Sequence, residues 1–227
     1  MNPPGVFVTG TDTGIGKTHA SVALLGAHRA HGRNAIGMKP VASGCRETSQ
    51  GLRNDDAEAL IGASAPAPAY ALCNPFALPL SIAPHLAARD VDIEITLEPI
   101  VDAYRKLAAI ADRVVVEGVG GWAVPLSDTL MQADLVRALG IPVVLVVGVR
   151  LGCINHALLS ARAIVADGCV MAGWIANHID PAMAFADANL ATLRARIDAP
   201  LLGVLPHASS PASDAHVDAL AQAAASL

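Results

Sequence analysis

Residues 6–18 of the chain read Val6-Phe7-Val8-Thr9-Gly10-Thr11-Asp12-Thr13-Gly14-Ile15-Gly16-Lys17-Thr18. An apolar strand that breaks into a glycine- and threonine-rich loop and continues as a helix directs backbone N–H groups and a helix N-terminus at one point, which favours a bound phosphate. At that point the Lys17 ammonium neutralises phosphate charge, and the Thr18 hydroxyl is placed to bind Mg²⁺. The stretch therefore predicts a phosphate-binding loop and a protein that uses a nucleoside triphosphate.

This loop departs from the usual phosphate-loop pattern at one position. The pattern places a glycine where this chain has Thr11, and Gly10 lies one step earlier. The alternative interpretation is a glycine-rich turn that serves only to reverse the chain. Such a turn needs neither Lys17 nor Thr18, so the phosphate-binding interpretation is preferred.

The rest of the chain alternates short β-branched runs with Ala-rich segments of helical length. Strands are expected at 6–9, 35–39, 113–117, 143–147, 170–176 and 202–205. Helices are expected at 17–31, 97–111, 133–139, 154–166 and 187–197. This alternation predicts an α/β fold with a mostly parallel central sheet and helices on both faces, of the P-loop NTPase type. We expect a single domain over residues 1–227.

Two segments lie outside this alternation. Residues 43–84 are rich in Gly, Pro, Ser and Asn, and much of this segment is expected to be loop. Ligands of open α/β sheets lie beyond the carboxyl ends of the strands, so long loops there are expected to contact the substrate. Residues 212–227 are Ala-rich and are expected to form a helix packed on the sheet.

Composition restricts the possible partners and location of the protein. The chain of 227 residues is 53% hydrophobic and 15% charged, which suits one large buried core. A formal net charge of −5 without a basic cluster argues against nucleic acid or an anionic membrane as a partner. The four cysteines include no CxxC pair, so reduced thiols are expected. No signal peptide or bilayer-length apolar run is present, and we expect a soluble, cytoplasmic protein.

Carboxylates that could hold Mg²⁺ beside the phosphate loop are found at two places. Glu117 ends the apolar run 114–116 and is followed by Gly118-Val119-Gly120-Gly121, where small residues let backbone approach a phosphate. The alternative for Glu117 is a solvated carboxylate at a strand end. Asp55-Asp56 is the second candidate, although an N-cap for a helix starting near Ala57 explains one of the pair almost as well.

Several segments in combination are typical of one enzyme family. They are Thr9-Gly10-Thr11-Asp12-Thr13 with Gly16-Lys17-Thr18, Lys39-Pro40-Val41-Ala42-Ser43-Gly44, Leu52-Arg53-Asn54-Asp55-Asp56-Ala57, Val116-Glu117-Gly118 with Gly120-Gly121-Trp122, Pro125-Leu126-Ser127-Asp128, Gly148-Val149 with Leu151-Gly152-Cys153-Ile154-Asn155-His156, and Gly173-Trp174 with Ala176-Asn177. Together they resemble the dethiobiotin synthetases, from Val6 to about Pro206. The segments 39–44 and 152–156 are far more discriminating than the phosphate loop, which many proteins share.

The resemblance implies an ATP- and Mg²⁺-dependent ligase of biotin biosynthesis. In that family, 7,8-diaminononanoate takes up CO₂ to form a carbamate, ATP phosphorylates the carbamate to a mixed anhydride, and the second amine closes the ring. The products are dethiobiotin, ADP and phosphate. Phosphoryl transfer needs mainly positioning and charge stabilisation, which two lysines and Mg²⁺ provide.

Site residues follow from the same resemblance. The catalytic residues are Lys39, which stabilises the carbamate and the phosphate moving onto it, and Lys17. The metal ligands are Thr18, Asp56 and Glu117. ATP-binding positions are Thr13, Gly14, Ile15, Gly16, Lys17, Thr18, His19, Asp56, Glu117, Gly118, Val119, Gly120, Asn177, His178, Pro206, His207 and Ala208. From spacing alone, Asn177 is equally well explained as a turn-forming residue at a strand end.

Substrate contacts are implied at Ser43 and at Gly152, Cys153, Ile154 and Asn155. The latter segment opens a helix, whose free N–H groups suit the carboxylate tail of the diamine. In the family it comes from the second subunit, so a homodimer with the site at its interface is implied. Two family features are missing here, a tyrosine replaced at about Asn189 and an acidic residue without a match in 209–213.

Two other classes of protein share these features in part. A nucleotide-dependent switch or partitioning ATPase typically carries an extra lysine near the start of the loop, and residues 9–12 contain none. The amidases of corrin synthesis usually add a glutaminase domain, for which 227 residues leave no room. The ligase interpretation is therefore preferred, and the switch ATPase is kept as the alternative.

Overall fold

The computed structural model describes residues 5–207 and 214–227. Its strands are β1 (Gly5–Gly10), β2 (Ala35–Met38), β3 (Val41–Ser43), β4 (Arg46–Thr48), β5 (Gly51–Arg53), β6 (Phe76–Leu78), β7 (Arg113–Glu117), β8 (Val143–Val149), β9 (Met171–His178) and β10 (Leu201–Leu205). Its helices are α1 (Lys17–Ala30), α2 (Asp55–Ala63), α3 (Tyr70–Cys73), α4 (Pro84–Asp90), α5 (Leu97–Ala108), α6 (Gln132–Leu139), α7 (Cys153–Ala166), α8 (Ala186–Arg196) and α9 (Asp214–Ser226).

A six-stranded parallel sheet forms the centre of the molecule, in the order β10-β9-β8-β1-β7-β2. Strand β1 lies between β7 and β8, with Val8 opposite Glu117 and Thr9 opposite Leu145. Strands β7 and β2 lie on one side of β1, and the later strands β8, β9 and β10 lie on its other side. The carboxyl end of β1 is therefore at a switch point of the topology, where open α/β sheets bind ligands.

Both faces of this sheet are buried, and alternate residues of a strand enter different hydrophobic layers. Phe7 packs into one layer, whereas Val6 and Val8 pack into the other. Helices α4 to α8 cover the layer of Phe7, and α1, α2 and α9 cover the opposite layer. The predicted α/β fold with helices on both faces is thus confirmed, and its β-branched strands are those of a fully covered parallel sheet.

The segment 43–84 contains more regular structure than its composition predicts. It includes α2, α3, β6 and a short β4–β5 hairpin, joined by loops, so the expectation that much of it is loop is confirmed only in part. Helix α2 forms because Asn54 caps it by accepting from the Ala57 amide at 3.2 Å and because Leu60 is fully buried. An N-cap at Asp55 or Asp56 is wrong as well, since both lie in the first turn.

The C-terminal helix α9 packs against α1 and β10, as the Ala-rich composition of its segment predicts. Of the expected site residues, Ala208 lies outside the described residues, together with the rest of 208–213. All four cysteines carry free thiols. No helix in the described part of the chain combines the length and apolarity needed to cross a membrane.

Candidate active site

The predicted site residues on β1, β2 and β7 meet at the carboxyl edge of the sheet. The phosphate loop follows β1, Lys39 follows β2, and Glu117 is the last residue of β7. Because these three strands are neighbours, their carboxyl ends open on one cavity of about 780 Å³. The expected residues that line it are Thr13, Gly14, Gly16, Lys17, Thr18, His19, Lys39, Ser43, Asp56, Glu117, Val119 and Gly120.

The phosphate loop is held in place from below by a side chain of β9. The Asn177 amide nitrogen donates to the Ile15 carbonyl at 2.8 Å, and the Ile15 side chain is buried in the core. Only the backbone of Ile15 therefore remains for a ligand. Gly16 has φ 86°, and a Cβ there would lie 2.0 Å from the Asn177 amide nitrogen. Both the left-handed backbone and the close approach require glycine at this position.

The Lys17 side chain extends back toward the start of the phosphate loop, where its Nζ donates to the Asp12 carbonyl at 3.0 Å. Burial, followed by the nearby charge of Lys39, lowers the pKa of Lys17 from 10.5 to about 8. Within the described ranges the Lys17 ammonium donates to a neutral carbonyl and to no carboxylate, and the nearby charges of Glu117, Asp56 and Asp12 only partly offset its burial and the repulsion from Lys39. A polyanion such as a triphosphate supplies further negative charge, so this environment favours phosphate binding.

Lys39 lies at the centre of a buried charge cluster and is only 3% exposed. Its Nζ donates to Glu117 Oε1 at 2.7 Å, to Asp56 Oδ2 at 2.9 Å and to the Gly118 carbonyl at 3.1 Å. Burial opposes its charge, but the two carboxylates outweigh burial, and the pKa of Lys39 is raised. Burial likewise opposes the charge of Asp56, yet Lys39 lowers the pKa of that carboxyl.

The predicted metal ligands form one cluster of oxygen atoms. Thr18 Oγ1 lies 2.8 Å from Asp56 Oδ1 and 3.0 Å from Glu117 Oε1. Glu117 Oε2 is buried and has no hydrogen-bond partner within the described ranges. Hard carboxylate and hydroxyl oxygens around a cation are the donor set that Mg²⁺ prefers. These residues therefore fit the metal, and in this structure the Lys39 ammonium supplies the positive charge.

Two buried amides support the site and were not predicted. Gln132 accepts from the Val119 amide at 2.9 Å and donates to the Gly121 carbonyl at 2.7 Å, which holds the loop after β7. Asn74 donates to the Lys39 carbonyl at 2.7 Å and so fixes the backbone after β2. Their partners are distant in sequence, and no local pattern distinguishes such amides from surface residues.

The residues expected at the nucleoside base lie at the carboxyl ends of β9 and β10. These strands pair Leu205 with Asn177, and His207 Nδ1 lies 3.2 Å from the His178 carbonyl oxygen. The structure thus brings together Asn177, His178, Pro206 and His207, none of which is among the residues lining the cavity. Asn177 lies within β9 rather than in a turn, so its turn-forming explanation is wrong.

The expected substrate segment 152–155 lies apart from Lys39 and Ser43. It begins α7, where Gly152 has φ 95°, and none of its residues is among those lining the cavity. Leu151, directly before it, is 90% exposed. Cys153 is buried, and its sulfur lies 4.0 Å from Asn189 Oδ1. Asn189, where the family tyrosine is missing, is therefore adjacent to this segment.

Comparisons with known proteins show which sequences and folds this chain is similar to. The family model described as AAA domain matches residues 4–213. "ATP-dependent dethiobiotin synthetase BioD" of Xanthomonas oryzae pv. oryzae strain PXO99A is 63% identical over 206 residues, which is 91% of this chain and 92% of that protein. The protein of the same name from Xylella fastidiosa strain 9a5c is 58% identical over 207 residues, covering 91% and 92% of the two chains.

Similar solved structures include two that contain a MinD protein. The MinC:MinD cell division protein complex of Aquifex aeolicus has a TM-score of 0.58 at 12% identity and covers 98% of this chain and 94% of that chain. MinD with Mg-ADP from Pyrococcus horikoshii OT3 also has a TM-score of 0.58, at 14% identity, and covers 99% and 95%. At these identities the likeness shows the fold alone, which is that of the P-loop NTPases.

Proposed function

Because the chain belongs to the ATP-dependent dethiobiotin synthetase family, we propose that it closes the ureido ring of dethiobiotin from 7,8-diaminononanoate, CO₂ and ATP. The chain is a ligase of biotin biosynthesis. The proposed course is carbamate formation on one amine, phosphorylation of the carbamate by ATP, and attack of the second amine with release of phosphate. ADP and phosphate leave with the product.

The observation that carries this proposal is the convergence of four distant segments on one cavity. Lys17 and Thr18 come from the loop after β1, Lys39 from the end of β2, Asp56 from α2, and Glu117 from the end of β7. A phosphate loop alone suits any nucleotide-binding protein. A second buried lysine beside both metal-type carboxylates goes beyond a phosphate loop, and its ammonium suits the negative charge of a carbamate and of the phosphoryl group moving onto it.

We propose that Thr18, Asp56 and Glu117 hold Mg²⁺. When bound, the metal would neutralise charge on the phosphates during transfer. The backbone N–H groups of residues 13–18 and the Lys17 ammonium bind the remaining phosphate charge. The lowered pKa of Lys17 returns toward its usual value when a phosphate binds beside it, because an adjacent anion favours the ammonium.

Lys39 is proposed to stabilise the carbamate and the phosphoryl group as it moves. Its hydrogen bonds to Glu117 and Asp56 hold the ammonium at the cavity wall, and its raised pKa keeps it charged at neutral pH. Ser43 Oγ is buried without a hydrogen-bond partner in the part of the chain that the structure describes, and Ser43 lines the same cavity. This hydroxyl suits a polar contact to the diamine or its carbamate.

The carboxylate tail of the diamine is proposed to bind at residues 152–155 of a second subunit. These residues do not line the cavity of their own chain, and the exposed side chains of Leu151 and Leu159 flank them. Apolar residues that are exposed in one chain and lie beside a ligand segment favour a contact between two copies. The proposed assembly is a homodimer with an active site at the two-fold interface.

The direct test is product formation by the purified protein. Incubation with diaminononanoate, bicarbonate, Mg²⁺ and ATP is expected to yield dethiobiotin, ADP and phosphate, detected by mass spectrometry. Omission of the diamine serves as the control. ATP hydrolysis that proceeds equally without the diamine, with no dethiobiotin formed, would refute the ligase and favour the switch ATPase, whose fold this chain shares.

A further inference from the structure

His216 of α9 is a buried histidine to which the proposed reaction gives no role. It is 0% exposed, and its Nε2 lies 2.9 Å from the Pro206 carbonyl oxygen. A carbonyl only accepts hydrogen bonds, so Nε2 must carry the proton. Pro206 is the first residue after β10 and begins the loop expected to contact the nucleoside base. One side chain thus fixes the backbone at the start of that loop.

The same ring also contacts the phosphate-loop helix. The centroids of the His216 and His19 rings are 5.7 Å apart with an interplanar angle of 67°, an edge-to-face arrangement. His19 follows Thr18 in α1 and lines the active-site cavity. His216 therefore lies between two parts of the proposed nucleotide site, one on α1 and one after β10.

Helix α9, which carries His216, packs closely against both α1 and β10. A Cβ on Gly26 of α1 would lie 2.7 Å from Val217 Cγ2, and a Cβ on Gly203 of β10 would lie 2.5 Å from the Ala219 carbonyl oxygen. The two glycines let α9 approach both α1 and β10 closely. Because α9 is packed this closely, a substitution at His216 is expected to shift its neighbours on α1 and β10, as even one added or removed methylene does in a packed interior.

We propose that His216 is a positioning residue for ATP: it holds the Pro206 backbone and the His19 ring in place relative to the phosphate loop. Its contacts in the described part of the chain include Pro206 and His19 but none of the proposed metal ligands, so its effect is expected in ATP affinity rather than in the chemical step. The inference rests on the proposed use of ATP. A purely structural alternative is that His216 only fills space between α1, α9 and β10.

Three variants separate these roles, in the full-length protein. Gln places an amide nitrogen where histidine has Nε2, whereas Asn places it nearer Nδ1, and Leu removes the donor. His216→Leu and His216→Asn are expected to raise the Kd and KM for MgATP by roughly fivefold, because without this hydrogen bond a smaller fraction of the folded protein has the arrangement that binds ATP. The kcat and the KM for the diamine are expected to stay unchanged. His216→Gln is expected to stay within about twofold of wild type.

His28 provides a matched control, because it is also a fully buried histidine but lies near the far end of α1. His28→Leu is expected to lower the Tm without changing the Kd for MgATP. Equal ATP affinity in wild type and His216→Leu, no advantage of Gln over Asn, or an equal effect of His28→Leu would each overturn the inference. Calorimetry measures the Kd for MgATP directly. A failure of this inference is therefore distinguishable from a failure of the proposed function, which is tested by dethiobiotin formation.

Discussion

Lys39 Nζ and Glu117 Oε1 are 2.7 Å apart, and both side chains are buried. They extend from the ends of adjacent strands, since β2 and β7 pair Met38 with Val116 one residue earlier. A buried ion pair contributes little net stability, but removal of one partner leaves an uncompensated charge. A substitution that removes either charge is therefore expected to destabilise the protein where β2 and β7 end.

Glu117→Gln is expected to destabilise the protein without nucleotide by about 3 kcal/mol, because Lys39 then keeps Asp56 alone as a charged partner among the described residues. Urea unfolding at pH 7.5 measures this change. Glu94→Gln, at an exposed carboxylate, is the control and should shift stability by less than about 0.5 kcal/mol. Equal stability of the two variants would contradict a charge-balancing role for Glu117.

Lys39→Met is expected to abolish dethiobiotin formation and to preserve MgATP binding, because the phosphate loop does not contain Lys39. The two carboxylates then lack the ammonium that faces them in this structure. Mg²⁺ should consequently raise the Tm of Lys39→Met more than that of wild type. Near-normal turnover, or an identical response of both proteins to Mg²⁺, would show that the assigned role is wrong.

Comparison of Gly16→Ala with Gly14→Ala distinguishes the effect of a steric clash from the effect of backbone strain. Both glycines have positive φ, but a Cβ on Gly16 would lie 2.0 Å from Asn177 Nδ2, whereas one on Gly14 meets nothing within 4 Å. Gly14→Ala should cost about 1 kcal/mol of stability and keep ATP binding. Gly16→Ala should lose ATP binding and cost more stability than Gly14→Ala, because the clash with Asn177 adds to the backbone strain. Calorimetry with MgATP distinguishes these outcomes.

His28 is expected to make the protein sensitive to acid. Burial, with Arg33 and Arg113 nearby, lowers the pKa of His28 from 6.5 to about 4. Between these values the unfolded chain binds a proton that the folded chain excludes, so stability is full above pH 6.5 and falls as the pH decreases toward 4. The loss is up to about 3 kcal/mol. In His28→Gln, urea unfolding from pH 7 to 4.5 should show a smaller decline, and an unchanged decline would assign acid sensitivity to other groups.

Leu151→Asp is expected to convert the proposed dimer into monomers and to abolish dethiobiotin formation, because a charge would replace an exposed leucine beside the substrate segment. Light scattering after size exclusion measures the mass. Ile110→Asp, at another exposed apolar residue after α5, is the control and should change neither mass nor activity. A monomeric wild-type protein with full activity would contradict the interface proposal.

The sequence predicted the central sheet well, because each strand carries its own signal. Runs such as 143–147 are uninterruptedly apolar and mostly β-branched, which is typical of strands covered on both faces. The ends of the elements were predicted less accurately: α5 ends at Ala108, whereas the Ala-rich pattern predicts a helix to residue 111. Helix α2 was not predicted, because its segment is rich in turn-forming residues. Its formation depends on the Asn54 cap and on the burial of Leu60.

The candidate site was predictable where a residue's chemistry is local. Gly16-Lys17-Thr18 identifies a phosphate loop because positive φ, a cation and a hydroxyl are needed at consecutive positions. Gln132 and Asn74 were missed because a buried amide is recognised only from its partners. The partners of Gln132 lie 13 and 11 residues away, and the Lys39 carbonyl lies 35 residues from Asn74.

Local patterning thus specifies the loop, the parallel strands and the family, since these depend on backbone preference and periodic burial over short stretches. The meeting of Lys39 with Asp56 and Glu117, which are 17 and 78 residues away, depends instead on strand order. That order places β2 beside β7 and β7 beside β1, and only folding of both hydrophobic layers brings these strand ends together. Charges attract strongly at 3 Å in a buried site and hardly at all across an unfolded chain, so the tertiary structure alone decides which lysine balances which carboxylate.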